Sequence, residues 1–199
     1  MFYFVSESGI CENLPVISGE KLRKPYRLFR FLTDLENLLE QEQDDYKRLQ
    51  AICPLVVHLL QSSLWLQLPE LEPEPELGWA VQTLYEEPFF PLTVQLVAWR
   101  AGEVSPIHNH GAWGLVAVIQ GQEKNSFWRR QPTSEFPDRI IPVGDHLIEE
   151  GQIITFSASA IHSVEITGSE TAISLNLYGA TQYDRRWQFD PIQHRAELF

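Results

Sequence analysis

The segment from Gly102 to Gly121, GEVSPIHNHGAWGLVAVIQG, sets the tightest limits on how this chain can fold. His108 and His110 are separated by one residue and follow the turn-like GEVSP segment. In an extended strand, residues two apart point to the same side, so both imidazoles can reach one point in space. That is a chelate geometry, and imidazole nitrogen is a common ligand for zinc, iron, copper and nickel. An apolar run, residues 115–119, follows and closes on Gly121. A pair of metal-ligating histidines is therefore expected at the mouth of a buried β-structure.

Around this segment the hydrophobic pattern has period two. Strands are expected over residues 92–100, 113–119, 125–130, 139–142, 146–149, 152–156, 161–166 and 171–178, with breakers such as Gly121, Pro132, Pro137, Gly144, Gly151 and Gly168 between them. Many short strands at near-regular spacing indicate a sandwich or barrel. Before residue 69 the period is helical. Leu28, Phe29, Phe31, Leu32, Leu35, Leu38 and Leu39 predict a helix over about 25–42, with Pro25 in its first turn. A second series runs from Tyr46 to Leu60, and Pro54 inside it is expected to kink or split the helix. His58 reads there as a packing residue. Residues 1–20 offer a short apolar strand and a loop, and the tail from residue 185 has no clear period. The acidic, proline-rich stretch PELEPEPE at 69–76 reads as a solvated connector. It divides a helical segment, 1–76, from a β-rich barrel, 77–199, within one compact domain.

Charge narrows the function. Lys plus Arg number 15 against 27 Asp plus Glu, a net charge of −12, which argues against a nucleic-acid partner. No apolar run approaches the roughly 20 residues that cross a bilayer, so no membrane partner is expected. Two cysteines, Cys11 and Cys53, make no disulfide framework, and a cytoplasmic location is the default expectation.

Two stretches resemble the signatures of the cupins, a jelly-roll superfamily. Gly102, His108, His110 and Gly121 fall at the positions of the first signature, with Gly114 in place of its Glu, while Gly151 and His162 fit the second. Within the cupins the sequence is similar to the thiol dioxygenases, cysteine dioxygenase and its bacterial relatives. The matching segments are PIHNHGAWG at 106–114, HSVE at 162–165 and ISLNLYG at 173–179. The resemblance implies a mainly β fold, a cupin jelly-roll barrel with N-terminal α-helices. It also implies a metal held by His108, His110 and His162, Fe(II) first, with Ni, Zn, Mn or Cu as alternatives, and a small-molecule substrate and O2 as partners. The family's Ser-His-Tyr set becomes Ser174, Asn176 and Tyr178, which share one strand face by alternation.

From this follow the expected roles. Tyr178, Ser174 and Asn176 form the catalytic set, with Tyr178 donating a hydrogen bond to oxygen or substrate. Trp113 and Gln95 are substrate-binding candidates, and Gln82 and Arg100 are further options for holding a carboxylate. Glu123 is expected to face solvent, His146 is a weak fourth ligand, and His194 lies on the surface. The leading activity is oxidation of a small thiol such as cysteine or 3-mercaptopropionate. The alternatives are a metal-cupin enzyme of another substrate class and a non-catalytic small-molecule-binding cupin.

Overall fold

The computed structural model describes residues 1–15, 26–67 and 70–199. Its strands are β1 (Phe2–Val5), β2 (Cys11–Asn13), β3 (Trp79–Glu86), β4 (Leu92–Trp99), β5 (Ile107–His108), β6 (Gly114–Gln120), β7 (Gln122–Arg130), β8 (Ile140–Glu149), β9 (Ile153–Phe156), β10 (Ile161–Ile166), β11 (Ala172–Gly179), β12 (Trp187–Asp190) and β13 (Arg195–Leu198). The helices are α1 (Leu28–Gln41), α2 (Asp45–Ser62) and the short α3 (Leu64–Gln67).

Strands β4 to β11 pair as nested arms of one long hairpin. β7 pairs with β8, β6 with β9, β5 with β10 and β4 with β11, all antiparallel. The nested pairs alternate between two sheets, with orders β2-β1-β9-β6-β11-β4-β3 and β13-β12-β5-β10-β7-β8. A long hairpin rolled across two facing sheets is the jelly-roll topology. The fold is mainly β, with a jelly-roll barrel and N-terminal helices, as the period-two pattern implies.

The seven-stranded sheet buries both faces. Leu92, Val94, Leu96, Leu115, Leu175 and Leu177 pack outward against Phe31, Leu35, Leu49, Ile52, Val56 and Leu59 of the helices. Residues of opposite parity face the second sheet, where Val116, Val118, Ile154 and Phe156 meet Phe127 and Ile148. Asp44 caps α2 by accepting from the Lys47 amide at 3.0 Å.

Several local expectations change. α1 begins at Leu28, and Pro25 lies outside the described residues, as does Pro69 of the acidic connector. α2 runs unbroken through Pro54, because the buried Ile52, Cys53, Val56 and Leu59 around it hold the helix on the sheet. His58 is a packing residue, stacked on Tyr26 with ring centroids 4.2 Å apart. The strands expected at 139–142 and 146–149 are one strand, β8. Phe127 faces Gly144 while Trp128 faces Pro142, so Val143 is the extra residue of a bulge. β8 is an edge strand, where a proline without an N–H is tolerated. β1 runs parallel to β9 and extends the seven-stranded sheet. β3, β12 and β13 are strands that the sequence pattern does not mark.

Leu175, fully buried between sheet and helices, tests this layer. Leu175→Ala is expected to cost about 2–5 kcal/mol, read as a lower midpoint in urea unfolding with little change in slope.

Candidate metal centre

The nested pairing brings distant histidines together. His108 on β5 is in direct register with His162 on β10. His110 follows just after β5, in a loop rather than in a strand. Alternation still holds across this loop, because Asn109 turns the other way. Its amide donates to the Arg185 carbonyl at 2.8 Å, and its Oδ1 accepts from the Trp187 amide at 2.7 Å. Asn109 thus ties the histidine loop to β12, and neither of its neighbours' rings can swing out without breaking these bonds.

The three imidazoles converge as the sequence predicts. Ring centroids lie 4.8–5.0 Å apart, and one ring nitrogen of each lies within 4.8 Å of the others. His162 Nδ1–H donates to Asn125 Oδ1 at 2.9 Å, and His108 Nδ1–H donates to the Pro106 carbonyl at 2.9 Å. Those bonds set the tautomers, leaving each Nε2 bare. His162 Nε2 stands 2.8 Å from His110 Nε2. A bare nitrogen that close to another is satisfied by a shared proton or a shared cation. Burial holds all three below the ordinary histidine range. For His110 and His162 the neighbouring imidazoles add to this, and Arg186 adds to it for His108 and His110. Neutral imidazoles with oriented Nδ1 partners are the donor set that imidazole-binding transition metals take. The residues present therefore fit a metal ion.

Beside the triad lies a cavity of about 510 Å³. Tyr178 stacks on His110, with ring centroids 4.7 Å apart. Its hydroxyl donates to Asn176 Oδ1 at 3.0 Å, and Asn176 Nδ2 donates to Ser174 Oγ at 3.0 Å and to the Ser174 carbonyl at 3.2 Å. Gly114, which replaces the signature Glu, has a structural reason. A Cβ there would stand 3.1 Å from the Tyr178 ring.

Of the substrate-binding candidates, Gln95 lines the cavity. Trp113 does not; it belongs to the core between sheet and helices, with the Arg48 guanidinium 5.8 Å from its ring. Its indole lies over Gly179, where no Cβ would fit. Gln82 is exposed, and Arg100 turns away to Glu103 and the Pro75 carbonyl. His146 packs on Tyr3 at 4.3 Å, outside the triad, and His194 packs on Phe136.

Three residues escaped the sequence reading. Glu123 is 3% exposed and lines the cavity, contrary to the expected solvent-facing position. β7 starts at Gln122, so Glu123 is in phase with Asn125 and Phe127, and all three are buried. Phe127 was the available signal, since its parity fixes the inward face. Burial lifts the Glu123 carboxyl from 4.5 to about 7, and a hydrogen bond from Ser174 opposes the rise. Asn125 supports His162 from that same face. Arg186 also lines the cavity, its Nε without a hydrogen-bond partner among the described residues. Burial and then the charge of Glu123 raise Tyr178 above the ordinary phenol range.

No family model matches the chain. Solved structures with weak likeness include a cupin superfamily protein from Desulfitobacterium hafniense DCB-2, 13% identical, covering 56% of this chain and 83% of that one, with a TM-score of 0.42. An RmlC-like cupin protein from Ralstonia eutropha JMP134 is 19% identical over 57% of this chain and 60% of its own, with a TM-score of 0.43. A recombinant oxalate oxidase in complex with glycolate is 13% identical over 54% of this chain and 53% of its own, with a TM-score of 0.39. The jelly-roll assignment stands on the strand pairing itself.

His162→Ala is expected to abolish stoichiometric metal uptake, and Asn125→Leu to weaken it about 10–100-fold, measured by competition with a chromophoric chelator. A second expectation concerns pH. Because folding raises the Glu123 pKa, the native state holds more protons than the unfolded chain between pH 4.5 and about 7. The stability contributed by protonated Glu123 is therefore present below 4.5 and lost as pH rises through 7. The histidines act alike in both proteins and cancel. Glu123→Gln should gain on wild type by roughly 3 kcal/mol between pH 4.5 and pH 8. Parallel stability curves would refute this placement of the carboxyl.

Proposed function

We propose that this protein is a metal-dependent oxygenase, with Fe(II) the leading metal, acting on a small anionic substrate, a thiol carboxylate first. The observation that carries this reading is the ligand set: three neutral imidazoles and no carboxylate among the described residues within the cluster. Such a set leaves a divalent ion its full charge and favours anionic ligands in its open positions. When bound, the ion would supply a site where substrate and O2 meet and are polarised.

The protein's own groups do the remainder. Arg186 is the cation lining the cavity, and its charge reaches His108, His110 and Tyr178. It is suited to hold a substrate carboxylate while the anionic end faces the triad. Gln95, on the strand paired with Asn176, offers an amide to the same ligand. Val97, Val116 and Val164 line the cavity with apolar wall, which limits water around the ligand. Tyr178 fixes the ring of His110 and one side of the cavity.

Asn176 favours a second reading. An amide holds a hydroxyl but does not relay a proton as an imidazole does. A metal enzyme for a small carboxylic acid without a thiol satisfies the triad and Arg186 equally.

Fe(II)-loaded protein is expected to consume O2 with 3-mercaptopropionate or cysteine. Arg186→Met should raise KM for them about tenfold or more, the loss of one charged hydrogen bond, with a smaller change in kcat. Asn176→His should raise the rate and Tyr178→Phe lower it. Absence of oxygen uptake with any small thiol, in wild type and Asn176→His alike, would remove the thiol and leave the second reading.

A further inference from the structure

Tyr178, Asn176, Ser174 and Glu123 form one hydrogen-bonded line along the cavity wall. Its direction can be read from donor and acceptor counts. Asn176 Nδ2 contacts the Ser174 carbonyl, which can only accept, at 3.2 Å. That contact forbids the flipped amide, which would place oxygen against oxygen. Asn176 Oδ1 therefore faces Tyr178 and takes its hydroxyl proton at 3.0 Å. Ser174 Oγ already accepts from Asn176 at 3.0 Å, so its own proton must go elsewhere. The group that receives it is Glu123.

We propose that Glu123 is a positioning residue that closes this line, so that Tyr178 turns its lone pairs, not its proton, toward the His108–His110–His162 cluster. Tyr178 then recognises a ligand group that carries an N–H or O–H, the reverse of the donor role its position in the sequence implies. The inference rests on the reading of this cavity as a ligand site, and it adds the chemistry of one contact: a proton donor on the ligand opposite Tyr178.

Without an acceptor at 123, the Ser174 proton competes for Asn176 Oδ1. The amide is then free to turn, and the Tyr178 hydroxyl swings into the cavity and exchanges with water. The test is hydroxyl exchange in metal-free protein at pH 8, with tyrosine 13C-labelled at Cζ and Tyr178 assigned by its loss in Tyr178→Phe. In mixed H2O and D2O, wild type should give a resolved pair of lines for Tyr178, the mark of a slowly exchanging hydroxyl. Glu123→Leu should speed exchange about tenfold or more, the equivalent of one hydrogen bond. Glu123→Gln, which keeps a carbonyl acceptor, should retain the pair. Should Glu123→Leu fail to fold, Ser174→Ala cuts the line at its middle and should give the same acceleration. Unchanged exchange in Ser174→Ala, or in folded Glu123→Leu, overturns the proposal.

The ligand consequence is read on Zn(II)-loaded protein with 2-hydroxypropionate and propionate. The preference for the hydroxy acid should fall about 2–10-fold in Tyr178→Phe, again one hydrogen bond. An equal preference in both proteins overturns it. Failure of zinc to bind would instead count against the metal reading and would leave the exchange result intact.

Discussion

Alternation along β11 is the constraint on which the rest of this molecule depends. Ile173, Leu175 and Leu177 point one way, and Ser174, Asn176 and Tyr178 point the other. The first parity fastens the helices to the sheet, and the second lines the cavity. A slip of one residue would exchange the two sets, placing amide and hydroxyls in an apolar layer and leucines beside the histidines. Pairing on both sides, with β4 and with β6, holds the register against such a slip.

That fixed frame explains why the site can be so dry and still polar. The triad is buried, which keeps its imidazoles neutral and their Nε2 atoms available. Each polar group behind the triad is itself held: His162 by Asn125, His108 by the Pro106 carbonyl, Tyr178 by Asn176. Supporting bonds of this kind decide ring orientation and tautomer, and so decide which lone pair meets a ligand. Glu123 and Arg186 add opposite charges to the same cavity. Their presence makes it a site for charged or strongly polar molecules, despite the valines along its walls.

The histidine spacing was legible because it depends on short-range geometry. His108 and His110 are two apart, and Ser174, Asn176 and Tyr178 share a parity, so local extension alone aligns them. The β-strands could be read for the same reason. Trp113 misled, because a residue three positions past His110 looks close in sequence. The chain turns at Gly111, where φ is +63°, and the indole ends on the helix side of the sheet. Glu123, Asn125 and Arg186 carried no repeated pattern of their own. A single charged residue near a turn reads as solvated until its strand's starting residue is known. β12 and β13 were invisible because their mixed residues alternate weakly, and only pairing with β5 gives them a place.

The sequence by itself determined the fold class, the two helices that pack on the barrel, the three histidines and the common face of the Ser-Asn-Tyr set. All of these follow from periodicities of two or 3.6 residues, or from resemblance carried by short motifs. Only the tertiary structure decided which charges enter the cavity, which carbonyl or amide fixes each imidazole, and which way the hydroxyl of Tyr178 points. Those outcomes depend on contacts between strands far apart in the chain, such as His108 opposite His162 and Glu123 near Ser174. Strand register and burial set such contacts, and neither is a property of any short stretch of sequence.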